Sequence, residues 1–86
     1  MKVTYHAWIS EIIGVSSEEI QIDKETFISD ILSTIIERSI KNKNVFERLD
    51  KIYIARNDTL IDKNNLKKIA VSNDDTVSFF PAISGG

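Results

Sequence analysis

The sequence predicts an α+β fold in which one main helix packs on one face of a mixed sheet of four to five strands. Three observations carry this expectation. Apolar and polar residues alternate near both ends of the chain, a broad apolar stripe at helical spacing lies between them, and the elements run strand, strand, helix, then two or three strands. With 86 residues the chain is long enough for one domain and one small core.

Val3, Tyr5 and Ala7 alternate with Lys2, Thr4 and His6, which predicts a first strand over residues 2–8. Ser10-Glu11-Ile12-Ile13-Gly14 reads as a single helical turn closed by Gly14, because glycine takes the left-handed conformation at least cost. A second strand is expected over residues 19–23, with Ile20 and Ile22 pointing one way. Thr26 fits an N-cap. Phe27, Ile28, Ile31, Leu32, Ile35, Ile36 and Ile40 follow at three-four spacing, so the main helix is expected over residues 26–40.

Lys41-Asn42-Lys43-Asn44 then reads as the helix exit and a solvated loop. Ile52 and Ile54 mark a third strand. Residues 57–75 are polar and broken, with a short apolar stretch at Leu60-Ile61, a helical turn over residues 66–70 and a turn at Asn73-Asp74-Asp75. A last strand covers residues 76–80, with Val77 and Phe79 on one face and Ser78 and Phe80 on the other. The β-grasp fold satisfies this order; a split βαβ arrangement needs a second full-length helix that residues 57–75 do not supply. The expected organisation is a domain over residues 1–80 and a flexible tail over residues 81–86.

Composition narrows the function classes. Eleven basic against 13 acidic residues, net −2, gives no electrostatic footprint for nucleic acid or an anionic membrane. The absence of cysteine excludes disulfides, thiolate zinc sites and a cysteine nucleophile together. The first residues lack the apolar run of a signal peptide and no later segment approaches the length of a membrane span, so a cytoplasmic location is expected. So small a domain has little room for a deep substrate cavity, and the chain is not expected to be an enzyme by itself.

Chemistry concentrates at the end of the sequence. Of three glycines, two are Gly85 and Gly86. At an average glycine usage of about 7%, a Gly-Gly end arises by chance roughly 0.5% of the time, so it calls for an explanation. Pro81 after the last strand is expected to take the backbone out of the sheet with one torsion already fixed. The six residues from Pro81 on extend roughly 20 Å, enough to enter a partner's active site. Glycines at the tip can thread a narrow channel. A carboxylate is a poor electrophile, so this end requires activation as an acyl-adenylate by an ATP-using partner, for Gly14 stands without a phosphate-binding loop pattern.

Over Asn73-Asp74-Asp75-Thr76-Val77-Ser78-Phe79-Phe80-Pro81-Ala82-Ile83-Ser84-Gly85-Gly86 the chain resembles the ubiquitin-like sulfur carriers of the molybdopterin-synthase small-subunit (MoaD/ThiS-like) family, which is related to ubiquitin-related modifiers. That family has a Gly-Asp-Glu-Val-like turn, a final strand, a Phe-Pro-Pro-like exit and a Gly-Gly end. Asp74 stands where its turn glycine is usual and Ala82 where a second proline is common; neither departure touches the terminal chemistry. The resemblance implies that an E1-like adenylating enzyme uses ATP to activate Gly86, which becomes a thiocarboxylate, with no cofactor bound to this chain. It implies further that the tail enters a molybdopterin-synthase large subunit and donates sulfur to a pterin precursor, with Gly85, Ser84 and Pro81 giving access. The alternative is a ubiquitin-like modifier joined through Gly86 to target-protein lysines, or serving tRNA thiolation.

Alternation suggests a docking face. If Val3, Tyr5, Ala7, Ile52, Ile54, Val77 and Phe79 face the helix, then Thr4, His6, Tyr53, Ser78 and Phe80 lie on the opposite face. Phe80 and Tyr53, with His6, would form an aromatic docking patch beside the tail. His6 alone makes a poor metal site, and no metal is expected. Trp8 reads as core or rim packing, and Glu18, Glu19, Asp23 and Glu25 as a solvated acidic edge. Lys41, Lys43, Lys51, Lys63, Lys67 and Lys68 read as a solubilising surface.

Overall fold

Val3 and Tyr5, each nearly free of solvent contact, alternate with Lys2 and Thr4 to build β1 (Lys2–Tyr5) in a computed structural model that describes residues 1–82. Three short elements follow: α1 (Trp8–Ile13), β2 (Ser17–Glu19) and β3 (Thr26–Phe27). Next come α2 (Ile28–Ile36) and α3 (Ile40–Phe46), then β4 (Ile52–Arg56) and β5 (Thr59–Leu60). β6 (Ala70–Val71) and β7 (Thr76–Pro81) complete the described chain. Five strands form one mixed sheet in the order β2-β1-β7-β4-β5, and β3 pairs with β6 in a separate two-stranded ribbon. β7 is central. It runs parallel to β1, with Tyr5 opposite Phe79, and antiparallel to β4, with Tyr53 opposite Phe80.

One face of the sheet carries Val3, Tyr5, Ile52, Ile54, Val77 and Phe79, all buried against Ile9 of α1, Ile28, Ile31 and Ile35 of α2, and Val45 and Phe46 of α3. Phe79 sits at the centre, stacked on Tyr5 at 5.9 Å and met edge-on by Phe46 at 5.1 Å. Ala7 does not join this face. Its positive φ of 53° takes the chain out of β1 and straight into α1, so the first strand stops at Tyr5 rather than running to residue 8. Gly14 closes α1 as expected, at φ 98°, with its N–H on Ser10 O.

The expected helix over residues 26–40 divides. Thr26 is not an N-cap but a strand residue opposite Val71, and its hydroxyl donates to Lys24 O. The first amides of α2 find other partners: Phe27 N–H donates to Asp30, Ile28 N–H to Ile69 O and Ser29 N–H to Leu66 O. α2 ends near Glu37, and Ser39 starts α3 by accepting from Asn42 N–H at 3.1 Å. The segment expected as a solvated loop, Lys41-Asn42-Lys43-Asn44, is therefore helical. Asn42 is only 7% exposed and donates its side-chain amide to Ile35 O, near the end of α2, beside the backbone N–H of Arg38 that the same carbonyl accepts at 3.3 Å.

Other boundaries move by a few residues. The second strand is Ser17–Glu19 because Glu19 registers with Lys2, while Ile20 and Ile22 pack on the core beyond it. The helical turn expected over residues 66–70 is a 3-10 turn at Lys63–Asn65, started by Asp62 accepting from Asn64 N–H. Pro81 does not take the chain out of the sheet: it lies opposite Ile52, and Ala82 N–H still donates to Lys51 O at 2.7 Å. Backbone alternation turns the missing N–H of Pro81 toward β1, which has already ended at Tyr5, so no ladder bond is lost. Among the described residues no helix is long and apolar enough to cross a membrane.

Candidate functional site

The end of β7 carries the candidate site, and its two neighbouring strands, β1 and β4, hold it in place. At its start, Asn57 in the two-residue turn between β4 and β5 takes a left-handed φ of 56°, which asparagine tolerates better than most residues. Asn57 N–H donates to Thr76 O, Thr76 N–H donates to Asn57 Oδ1, and the Asn57 amide donates to Asp75 Oδ1. The Asp75 carboxyl is held below the usual carboxylate range, chiefly by Ser72 N–H, with Asn57 and the charge of Arg56 adding to the effect.

Toward the other end, β1 supplies a second brace. The Tyr5 hydroxyl donates to Glu18 at 2.6 Å, and Glu18 forms an ion pair with Arg38 beyond α2. Burial pushes the Tyr5 phenol upward, and its bond to Glu18 adds to the shift. Glu18 is thus a bolt between β1, β2 and the end of α2 rather than a member of a solvated acidic edge. Its partners stand 13 and 20 residues away in sequence, so no local pattern announces them.

On the sheet face away from the helices, Phe80, Tyr53 and His6 come together. His6 and Phe80 stack with ring centroids 4.3 Å apart and planes 15° from parallel. Tyr53, directly across from Phe80, is 42% exposed. Thr4 Oγ1 lies 2.7 Å from Ser78 Oγ and 3.0 Å from His6 Nε2, so a hydrogen-bonded row of side chains runs across this face beside the stacked rings. Lys63 stands 5.9 Å from the Tyr53 ring centroid and donates to Leu49 O and Ile52 O, an organised cation where the sequence suggested only a solubilising lysine.

Pro81 lies in the last strand pair. Ser84, Gly85 and Gly86, the residues expected to give access and to carry the chemistry, lie outside the described residues. Among the described residues no cluster of three His, Asp or Glu is arranged to hold a metal ion.

The ThiS family model matches residues 3–86. No curated protein sequence matches the chain. Among solved structures, SAMP1 from Haloferax volcanii is similar over 100% of this chain and 98% of its own, with a TM-score of 0.76 at 21% identity. The putative molybdopterin converting factor, subunit 1, from Pyrococcus furiosus is similar over 95% of both chains, with a TM-score of 0.73 at 23% identity. The thiamine biosynthesis protein ThiS from Geobacter metallireducens covers 100% of both chains at 13% identity, with a TM-score of 0.59. At these identities the likeness is one of fold, and together with the sheet order it gives the α+β, ubiquitin-like β-grasp fold.

Proposed function

Because this chain belongs to the ThiS family, we propose that it is a sulfur carrier whose reacting atom is the carboxyl carbon of Gly86. The run Phe80-Pro81-Ala82-Ile83-Ser84-Gly85-Gly86, which continues the central strand into a Gly-Gly end, carries this reading. An E1-like partner brings ATP to that end. The Gly86 carboxylate attacks the α-phosphorus and pyrophosphate leaves; hydrosulfide or an equivalent nucleophile then adds to the acyl carbon and AMP leaves as the C–S bond forms. No redox change occurs on the carbon. The chain contributes reach and narrowness, since Gly85 and Gly86 present no Cβ to the walls of a channel.

The acceptor we propose is a pterin precursor held by a molybdopterin-synthase large subunit, as the Phe-Phe-Pro sequence that ends β7 suggests. His6, Tyr53 and Phe80 are the docking surface for these partners, and the cytoplasm is their shared location. Purified thiocarboxylated chain, mixed with such a large subunit and the precursor, is expected to transfer its sulfur and regenerate the carboxylate. Retention of the sulfur on Gly86 under those conditions contradicts the assignment.

A fold shared with a structure described as a small archaeal modifier protein supports a second reading, in which activated Gly86 is joined to lysines of target proteins. It requires covalent ladders of tagged chain in cells that vanish when Gly86 is deleted. Ladders that persist after the deletion rule it out.

A further inference from the structure

A groove on the helix side of the molecule, away from the His6–Phe80 face, is not used by the carrier chemistry. Trp8 and Ile12, one turn apart on α1, face Lys41, Asn44, Val45 and Arg48, a single stripe along α3 and its C-terminal end. The floor is apolar, formed by half-buried Trp8, by Ile12 at 42% exposure and by buried Val45. The rim is cationic. Among the described residues neither the Lys41 nor the Arg48 side chain makes an ion pair or hydrogen bond, and none that lines the groove carries a carboxylate, in a chain whose net charge is −2.

The cavity volume, about 220 Å³, is below the ~300–1,000 Å³ of small-molecule sites, so it suits one inserted side chain rather than a whole cofactor. Two unpaired cations flanking an apolar floor call for carboxylates on either side of that side chain. We propose that the groove between α1 and α3 docks an acidic segment of a protein partner, which inserts one apolar side chain over Trp8 and sets carboxylates against Lys41 and Arg48. The groove lies near the end of β7, since Arg48 O accepts from Lys51 N–H and Lys51 O accepts from Ala82 N–H. A partner seated there stands beside the C-terminal end of β7. The proposal depends on no step of the sulfur chemistry.

The test is selection of a randomised displayed peptide library against the full chain, followed by titration of the selected peptides and NMR mapping. Enriched peptides are expected to carry an apolar residue flanked by Asp or Glu, and to perturb the indole N–H of Trp8, the one tryptophan of the chain. Their affinity is expected to fall roughly tenfold or more in Lys41→Glu/Arg48→Glu, where attraction becomes repulsion, and to stay unchanged in Lys67→Glu/Lys68→Glu, an equal change of charge at exposed residues outside the groove. The amide spectrum of the double variant checks that its fold is intact. Peptides without an acidic bias overturn the proposal. So do peptides that bind the double variant as tightly as the original chain, perturbations confined to His6, Tyr53 and Phe80, or no enrichment at all.

Discussion

His6 and Phe80 lie ring on ring at 4.3 Å on the open face of the sheet, and Phe80 in turn stands directly across from Tyr53. The stack joins the residue that follows β1 to the last turn of side chains before the tail. A partner that grips these rings therefore fixes where the tail starts. Tyr53→Ala removes an exposed ring with little effect on folding, and is expected to weaken binding to the activating enzyme by about 1–2 kcal/mol, measured by titration calorimetry. Unchanged binding in Tyr53→Ala and His6→Ala together removes this face from the interaction.

Tyr5→Phe keeps the ring that stacks on Phe79 and deletes only the hydroxyl that donates to Glu18. The expected loss is about 1 kcal/mol of unfolding free energy in urea titration, since Glu18 keeps Arg38 and partial access to water. A loss no larger than the scatter of the measurement shows that the brace is not a stability element.

Asp75 links stability to acid. Its folded pKa is lowered from the model-compound value of 3.8, so its contribution is fully present above that value and is lost as pH falls below it through the folded pKa. Thermal unfolding followed from pH 6 downward is expected to show a smaller acid-side loss in Asp75→Asn than in the original chain. Parallel profiles contradict the linkage.

Asn42 caps α2 from inside α3. Asn42→Ala removes one of two donors to Ile35 O, which keeps the N–H of Arg38, at an expected cost of about 1 kcal/mol. Lys43→Ala, one residue on and exposed, is expected to change stability by less than about 0.5 kcal/mol in the same urea titration.

The same residue shows where the sequence misleads. The isoleucine stripe through Ile28, Ile31, Ile35 and Ile40 hides the break at Ser39, because Ile40 fits the three-four spacing while its side chain is 77% exposed at the start of a new helix. Lys41-Asn42-Lys43-Asn44 looks like a loop by composition, yet the Asn42 amide does there what a capping residue does. By contrast β1, β4 and β7 were legible, because the pairs Val3 and Tyr5, Ile52 and Ile54, and Val77 and Phe79 recur at every second position on one buried face, although Ala55 and Ser78 on the other face are buried as well. The same alternation put His6, Tyr53 and Phe80 on one face. The Tyr5–Glu18–Arg38 brace, the Lys63 cation beside Tyr53 and the α1–α3 groove join residues far apart in sequence, so no local pattern could reveal them. Pro81 misled for a geometric reason: a proline interrupts a ladder only where its N–H would have met a partner.

The most direct test of the carrier assignment is intact-mass measurement of the full chain after incubation with its E1-like partner, ATP and a sulfur donor. The account predicts a rise equal to the difference between sulfur and oxygen, dependent on ATP and absent when Gly86 is deleted. An unchanged mass, with the partner shown active on a known substrate, contradicts it.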